Sequence, residues 1–300
     1  MAILDEIGAS IRQLAEGAGT SVVGVGPRWG SGSGIGLGEG TVLTNAHNVR
    51  GDHVTVTFAD GRTAEGNVTG RDVDGDLAVI SVDTNEVPAL PWSDGAPVEV
   101  GTPVFALSNP GGRGLRVTFG FVSGVERTFR GPRGRRIIGS LEHTAPLLPG
   151  SSGGPVLTAA GQLLGINTNR LGEGFYLAIP ADEALRGRVD ALASGESVQP
   201  PQLGIAIAPG HVARRLRRAV GLPDADGLLI REVIEASPAA SAGLASGDLI
   251  VAAAGRPVSA PDDLFDALAA ARGGSLELRV VRGTDERTLQ VTFTDPDQNP

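Results

Sequence analysis

Gly150-Ser151-Ser152-Gly153-Gly154-Pro155 breaks a region of alternating hydrophobicity. Two glycines and a proline directly after a serine do not continue a helix, because glycine costs backbone entropy there and proline lacks the N–H and clashes with the preceding turn. The run is a tight turn whose backbone comes close to something else. The pattern on both sides of it is that of short strands. Val54, Val56 and Phe58 alternate with Thr55 and Thr57, and residues 77–82, 103–107, 116–122, 155–157, 163–166 and 175–179 are further strand candidates. Asp60-Gly61, Asp74-Gly75, Asn109-Pro110-Gly111-Gly112 and Ala160-Gly161 supply turns between them. Many short strands without intervening helices predict an all-β sandwich or barrel from about residue 21 to residue 180.

Helical spacing appears outside this region. Ile3, Ile7, Ile11 and Leu14 make a short amphipathic helix ahead of it, and residues 181–193, with Leu185, Val189 and Leu192 on one face, make another behind it. Residues 194–201 are polar and Pro-rich, as a linker is. Beyond it, strand patterns at 204–208, 227–233, 248–252, 276–281 and 288–293 mix with helical patterns at 212–220 and 261–272. The expected organisation is an N-terminal helical segment (1–20), a β domain (21–194), a linker (195–201), a smaller α+β domain (202–294) and a loose tail (295–300).

The totals agree with two domains: 300 residues is long for one, and 41% hydrophobic content suffices for packed cores. Apolar runs stay far short of the roughly 20 residues of a membrane span. Residues 1–17 carry neither a basic n-region nor a continuous apolar stretch, so the chain as it stands is expected in the cytoplasm, or in the periplasm or another extracytoplasmic space if a leader has been removed. The absence of cysteine excludes disulfides, thiol catalysis and Cys-ligated zinc, and no metal or cofactor is expected. A net charge of −9 argues against nucleic acid as a partner. All 25 basic residues are arginine, which fits a GC-rich genome better than a function.

Ser152 becomes chemically interesting through two upstream residues. A serine hydroxyl is a weak nucleophile until a base takes its proton, and histidine is the side chain suited to that near neutral pH. The imidazole must be held in one tautomer, which a buried carboxylate enforces. His47, one of four histidines, follows the strand-like Val42-Leu43-Thr44. Asp76 directly precedes the strand at 77–82, although Asp72 and Asp74 are equal candidates by residue type. Each feature alone is bland: a serine in a turn, a surface histidine, an acidic loop. Together they stand in the order His, Asp, Ser inside one β region, the order of a chymotrypsin-type triad. Glycines beside the serine would let the backbone N–H groups of Gly150 and Ser152 face a developing oxyanion, where losing one donor costs about 10²–10³ in rate. An α/β-hydrolase elbow also matches Gly150-Ser151-Ser152-Gly153-Gly154, but that elbow opens a helix and its histidine follows the serine. The glycine-rich 30–40 stretch leads into a strand at 41–44 instead of a helix, which removes a nucleotide-binding reading.

At this level of detail the chain resembles the HtrA/Deg-type serine proteases that carry one PDZ domain. The resemblance rests on Ser31-Gly32-Ser33-Gly34, Thr44-Asn45-Ala46-His47, Asp76-Leu77-Ala78-Val79, Ser108-Asn109-Pro110, Gly150 to Pro155 and Gly165-Ile166-Asn167-Thr168, and runs from about residue 21 to 293. It implies a mainly β, chymotrypsin-like pair of six-stranded barrels with His47, Asp76 and Ser152 in the cleft between them, followed by the PDZ domain. It further implies ATP-independent cleavage of unfolded or damaged proteins, an S1 pocket at Leu147, Leu148 and Asn167, and, by resemblance alone, a homotrimer. With no acidic residue beside Leu147 and Leu148, a small or medium aliphatic P1 residue is expected. Three departures stand out: Ser151 where Asn is usual, Asn48 where an aliphatic residue is usual, and His143-Thr144-Ala145-Pro146-Leu147-Leu148 ahead of the nucleophile. The arginine-rich 126–136 stretch reads as a solvated loop, or as a sensor loop if the resemblance extends to it.

In the second domain, Gln202-Leu203-Gly204-Ile205 looks like a PDZ carboxylate-binding loop, and Ser237-Pro238-Ala239-Ala240 with Ala242-Gly243-Leu244 and Gly247-Asp248 resembles the rest of that core. The N–H groups of Leu203, Gly204 and Ile205 would receive a peptide C-terminus, the peptide adding as a strand. Arg214, Arg215, Arg217 and Arg218 read as a solvated helix face. The rival to a protease is a latent or inactive one that acts as a peptide-binding or chaperone module.

Overall fold

The computed structural model describes residues 2–27, 32–38, 40–85, 87–130, 136–196, 202–208, 210–222, 225–271 and 274–293. Most of the expected linker (197–201), the tail, Ser31, and Arg133 and Arg135 of the arginine-rich stretch lie outside the described residues. The chain divides into two compact units, Met1–Gln199 and Pro200–Pro300.

The first unit opens with α1 (Ala2–Glu16), followed by β1 (Val22–Val25), β2 (Gly32–Gly38), β3 (Thr41–Thr44), β4 (His53–Thr57), β5 (Thr63–Asp72) and β6 (Leu77–Ser81). These strands close a barrel in the order β1-β2-β3-β6-β5-β4. A second barrel, in the order β10-β11-β12-β9-β8-β7, is built from β7 (Pro103–Ser108), β8 (Arg116–Arg130), β9 (Arg136–His143), β10 (Pro155–Leu157), β11 (Leu163–Arg170) and β12 (Tyr176–Pro180). Closure leaves neither sheet with an edge to pair elsewhere. Helix α2 (Glu183–Ala193) follows, its first turn capped by the Asp182 carboxylate, which accepts from the Leu185 N–H at 2.8 Å.

Period-two packing explains why two barrels share one chain so tightly. In β6, Ala78 and Ile80 point into the first barrel, while Leu77 and Val79 point into a second core. In β7, Val104 and Ala106 fill the second barrel, while Phe105 and Leu107 face that same second core. Leu163, Ile166 and Ile179, with Leu185, Val189 and Leu192 of α2, complete it. Strands apolar on both faces are thus buried on both faces, and each fully buried Leu or Ile contributes about 1.5–3 kcal/mol. This shared core fixes one barrel against the other.

Three details go beyond the sequence reading or differ from it. The α1 stripe packs only through Ile11 and Leu14, while Ile3 is 72% exposed. The described ends of the 126–136 stretch are strand: Arg127 pairs with Ser140, Phe129 with Ile137 and Arg130 with Arg136 across β8 and β9. Strand β2 is built on glycine at every second position and offered no strand-forming side chain on that face to read.

The second unit contains β13 (Ile205–Ile207), α3 (Gly210–Ala219), β14 (Leu228–Val233), α4 (Pro238–Ser241), β15 (Leu249–Ala253), β16 (Arg256–Pro257), α5 (Pro261–Ala270), β17 (Ser275–Arg282) and β18 (Asp285–Thr292). Its sheet runs β13-β14-β15-β17-β18, with β16 on β15. Leu228, Ile230, Ile250, Leu278, Val280 and Val291 pack against Leu264 and Leu268 of α5. Burial would raise the Asp248 carboxyl, but the Arg282 guanidinium donates to both its oxygens, at 2.7 and 2.8 Å, and holds it below the usual carboxylate range. That pair staples β17 to the turn before β15.

Candidate active site

The residues singled out in the first barrel sit where strands end. His47 lies in the 3₁₀ turn Ala46–Asn48 that follows β3, and Asp76 in the turn that enters β6. Asp76 has a left-handed φ of 57°, held by the Asn45 side-chain amide, which donates to its carbonyl at 2.9 Å. Asp72 serves that turn differently, accepting from the Gly75 N–H at 2.7 Å and facing Arg188 at 3.4 Å. Of Asp72 and Asp76, close in sequence and alike in chemistry, Asp76 is the one that reaches the imidazole.

It reaches it with both oxygens. His47 Nδ1 lies 2.9 Å from Oδ1 and 2.9 Å from Oδ2 of Asp76, and the His47 backbone N–H donates to Oδ1 at 3.2 Å. An ionised carboxylate only accepts, so Nδ1 is the donor in this contact, and in the neutral imidazole the lone pair is then on Nε2. Asp76 is 1% exposed, whereas the His47 side chain is 34% exposed. Thr168 of β11 adds a donor that sequence reading had not assigned: its hydroxyl gives a 2.6 Å hydrogen bond to Asp76 Oδ2. A Thr near the end of a strand carries no local signal for this contact, which spans the two barrels.

The Gly150–Pro155 turn precedes β10 in the second barrel. Its peptide planes are pinned one after another. The Gly150 carbonyl accepts from Ser33 Oγ at 2.9 Å, and the Ser151 N–H donates to Leu148 O at 3.1 Å. The Ser151 carbonyl accepts from Gly154 N–H at 3.1 Å, and the Gly153 N–H donates to Asn167 O at 2.7 Å. Gly150 and Ser152 are left as the N–H groups of the turn without an acceptor among the described residues. Ser151, buried at 2% exposure, donates from its hydroxyl to Ser108 Oγ at 3.0 Å, which gives this departure from the usual residue a structural role. Ser152 Oγ donates to Thr168 O at 3.0 Å, so its single proton points at that carbonyl in this conformation.

His47, Asp76, Gly150, Ser152 and Thr168 line one cleft of about 450 Å³, together with Leu147, Leu148, Asn167 and Tyr176. Leu148 is 52% exposed at the rim, while Asn167 is buried beneath the floor. Its amide donates to Gly154 O at 3.0 Å, leaving Oδ1 to accept from His143 Nε2 at 2.9 Å. Burial lowers the His143 pKa to about 4, against the opposing effect of the Asn167 bond, so the ring is neutral near pH 7. It stacks on Tyr176 with centroids 5.8 Å apart, and the Tyr176 hydroxyl reaches Leu147 O at 3.4 Å. Among the described residues no cluster of three or more acidic or histidine side chains is placed to hold a metal. No described helix is long and apolar enough to cross a membrane.

In the second unit, the Leu203 carbonyl accepts from Ala239 N–H and the Gly204 carbonyl from Ile234 N–H, at 2.9 and 2.8 Å. Both peptides are trans, so the N–H groups of Gly204 and Ile205 point the opposite way. Strand β13 stands at the end of its sheet, paired on one side with β14.

Comparison with known proteins places these two units. Residues 32–166 match the family model of the trypsin-like peptidase domain, and residues 229–282 that of the PDZ domain. The chain is similar to the serine endoprotease DegS of Escherichia coli K12, 31% identical over 279 residues that cover 88% of this chain and 76% of that one. It is 34% identical over 272 residues to a probable periplasmic serine endoprotease DegP-like protein of Halomonas elongata, covering 88% of this chain but 56% of that one. Against several other curated relatives it spans about half to two thirds of their length. Among solved structures, an HtrA-type protease, AlgW with a decapeptide, superposes with a TM-score of 0.70 at 25% identity, covering 95% of this chain and 98% of that one.

Proposed function

The chain belongs to the HtrA-type serine protease family, with a trypsin-like peptidase domain and a PDZ domain, and on that premise we propose that it is a serine endopeptidase of unfolded or damaged proteins. The observation that carries this reading is the His47–Asp76 pair, bonded through Nδ1 in the cleft that Ser152 also lines.

Ser152 is the nucleophile in this reading. Its hydroxyl turns from Thr168 O to His47 Nε2, which takes the proton as Oγ attacks the scissile carbonyl. Asp76 holds the tautomer and offsets the imidazolium charge. The unengaged N–H groups of Gly150 and Ser152 receive the oxyanion. Protonated His47 then gives its proton to the leaving amine, and water, deprotonated by the same nitrogen, releases the acyl-enzyme. Leu147, Leu148 and Tyr176 beside Ser152 support a small or medium aliphatic P1 residue, with Asn167 behind the pocket floor. The outward N–H groups at Gly204 and Ile205 and the open side of β13 support capture of peptide C-termini by strand addition, with Leu203 completing the loop. A homotrimer and an extracytoplasmic site of action rest on family membership; native mass and cell fractionation test them.

One observation favours a second reading, a latent protease acting as a binding or chaperone module: the Ser152 hydroxyl is parked on Thr168 O. Casein cleavage decides between them. Cleavage by the wild type that Ser152→Ala abolishes supports the enzyme. Absence of cleavage at every temperature, with suppression of client aggregation retained in both proteins, supports the module.

A further inference from the structure

His47 and Ser152 reach the cleft from different barrels, and the side chain next to His47 joins them. Asn48 Nδ2 donates to the Ser152 carbonyl at 2.9 Å and to Thr44 Oγ1 at 3.0 Å, which uses both amide protons. The Ser152 carbonyl also accepts from the Ser33 N–H at 2.8 Å, and Thr44 Oγ1 donates to the Ser33 carbonyl at 2.6 Å. These four bonds close a ring, Asn48 to Ser152 to Ser33 to Thr44 and back, with three members in the first barrel and the nucleophile in the second. Two glycines make room for it. A Cβ on Gly32 would lie 2.1 Å from Asn48 Cγ, and one on Gly153, whose φ is +88°, would lie 2.1 Å from the Ser33 carbonyl.

We propose that Asn48 is a positioning residue, whose amide grips the nucleophile's own carbonyl and so fixes Ser152 against the neighbouring His47. The proposal rests on the reading of Ser152 as nucleophile and His47 as base. An aliphatic side chain at 48 would fill the space but leave the Ser152 carbonyl with the Ser33 donor alone. The shared apolar core sets the barrels roughly; the last fraction of an ångström between Oγ and Nε2 needs a directional contact at the turns themselves. A misplacement of about 1 Å costs on the order of 100-fold in rate. Loss of Asn48 is therefore felt in turnover far more than in folding.

The test uses the full chain, a fluorophosphonate probe that labels an activated serine, and a fluorogenic peptide from a mapped casein site. In Asn48→Val, the labelling rate and kcat fall together by about 10- to 100-fold, KM stays within threefold, and final labelling stays at one probe per chain. Asn48→Asp keeps the shape and replaces donors by acceptors; it falls equally far, and it keeps the test decisive if the valine variant does not fold. The proposal is overturned if both variants label and turn over within threefold of wild type. It is also overturned if the labelled fraction drops while each labelled site reacts at the wild-type rate, since that is a purely structural role. Failure of the underlying reading looks different: the wild type is then not labelled at Ser152, and the positioning role falls with it.

Discussion

Thr168 Oγ1 donates a 2.6 Å hydrogen bond to Oδ2 of Asp76, so a strand of the second barrel holds the carboxylate of the first. Asp76 thereby has four contacts to donors: the His47 Nδ1 shared between its two oxygens, the His47 backbone N–H and this hydroxyl. Thr168→Val keeps the shape and removes the donor. It is expected to lower kcat by about 10-fold with little change in KM, because a carboxylate missing one partner orients the imidazole less well. A kcat within twofold of wild type on a peptide substrate would show that the contact is not used.

Gly153 has room for nothing larger. Its φ of +88° disfavours any L side chain, and a Cβ would meet the Ser33 carbonyl at 2.1 Å and Thr44 Oγ1 at 2.6 Å. Gly153→Ala is expected to displace the turn, abolish detectable casein cleavage and destabilise the first unit by about 1–3 kcal/mol. Thermal unfolding and a cleavage assay on the same preparation check both parts.

Tyr176 bounds the pocket beside Ser152, its ring stacked on His143 and its hydroxyl at Leu147 O. The wild type is expected to favour Ala or Val over Leu and Phe at P1. Tyr176→Ala should raise the Leu/Ala ratio of kcat/KM by about 10-fold or more, the scale on which a methylene or two is resolved by a pocket. Mass-spectrometric mapping of casein cleavage sites gives the answer, and a preference for Arg at P1 in the wild type would sink the prediction.

His143 makes stability depend on pH with a definite sign. Its folded pKa, about 4, lies below the 6.5 of the unfolded chain. Above pH 6.5 both states are neutral and the full stability is present. As pH falls toward 4 the unfolded state takes the proton and the folded state does not, so stability is lost, by about 3 kcal/mol at most. His143→Gln can still donate to Asn167 but does not titrate, so its denaturation midpoint should fall less steeply between pH 6.5 and 4. Parallel curves for the two proteins would remove His143 as the cause.

Gly204 has a φ of +75°, and a Cβ there would lie 2.3 Å from Ser237 Cβ. Gly204→Ala should therefore weaken binding of a peptide with a free, apolar C-terminus at least 10-fold by fluorescence anisotropy, because the loop must move to accept it. Amidating the peptide C-terminus should cost the wild type as much. Equal affinity for acid and amide would exclude the carboxylate-binding reading of residues 203–205.

Residue type and spacing made much of this legible. The alternating β4 and the continuous apolar run of β7 announced themselves, and so did the turn at Gly150–Pro155. The glycine-built β2 did not, because its strand character comes from neighbours packing on bare backbone instead of from its own side chains. Thr168 and Asn48 were equally silent as site residues. One is a hydroxyl and the other an amide, and what they do depends on groups 92 and 104 residues away in sequence.

By itself the sequence determined the menu: a β region with a histidine, an acidic turn and a serine in a glycine turn, then a smaller α+β unit. Period-two hydrophobicity and turn chemistry act locally, so they can be read locally. Only the tertiary structure decided which of Asp72 and Asp76 meets His47, which N–H groups of the serine turn stay unengaged, and that Asn48 and Thr168 tie one barrel's residues to the other's. Those outcomes are set by hydrogen-bond geometry between strand ends far apart in the chain, and that geometry exists only once the shared core has brought the two barrels together.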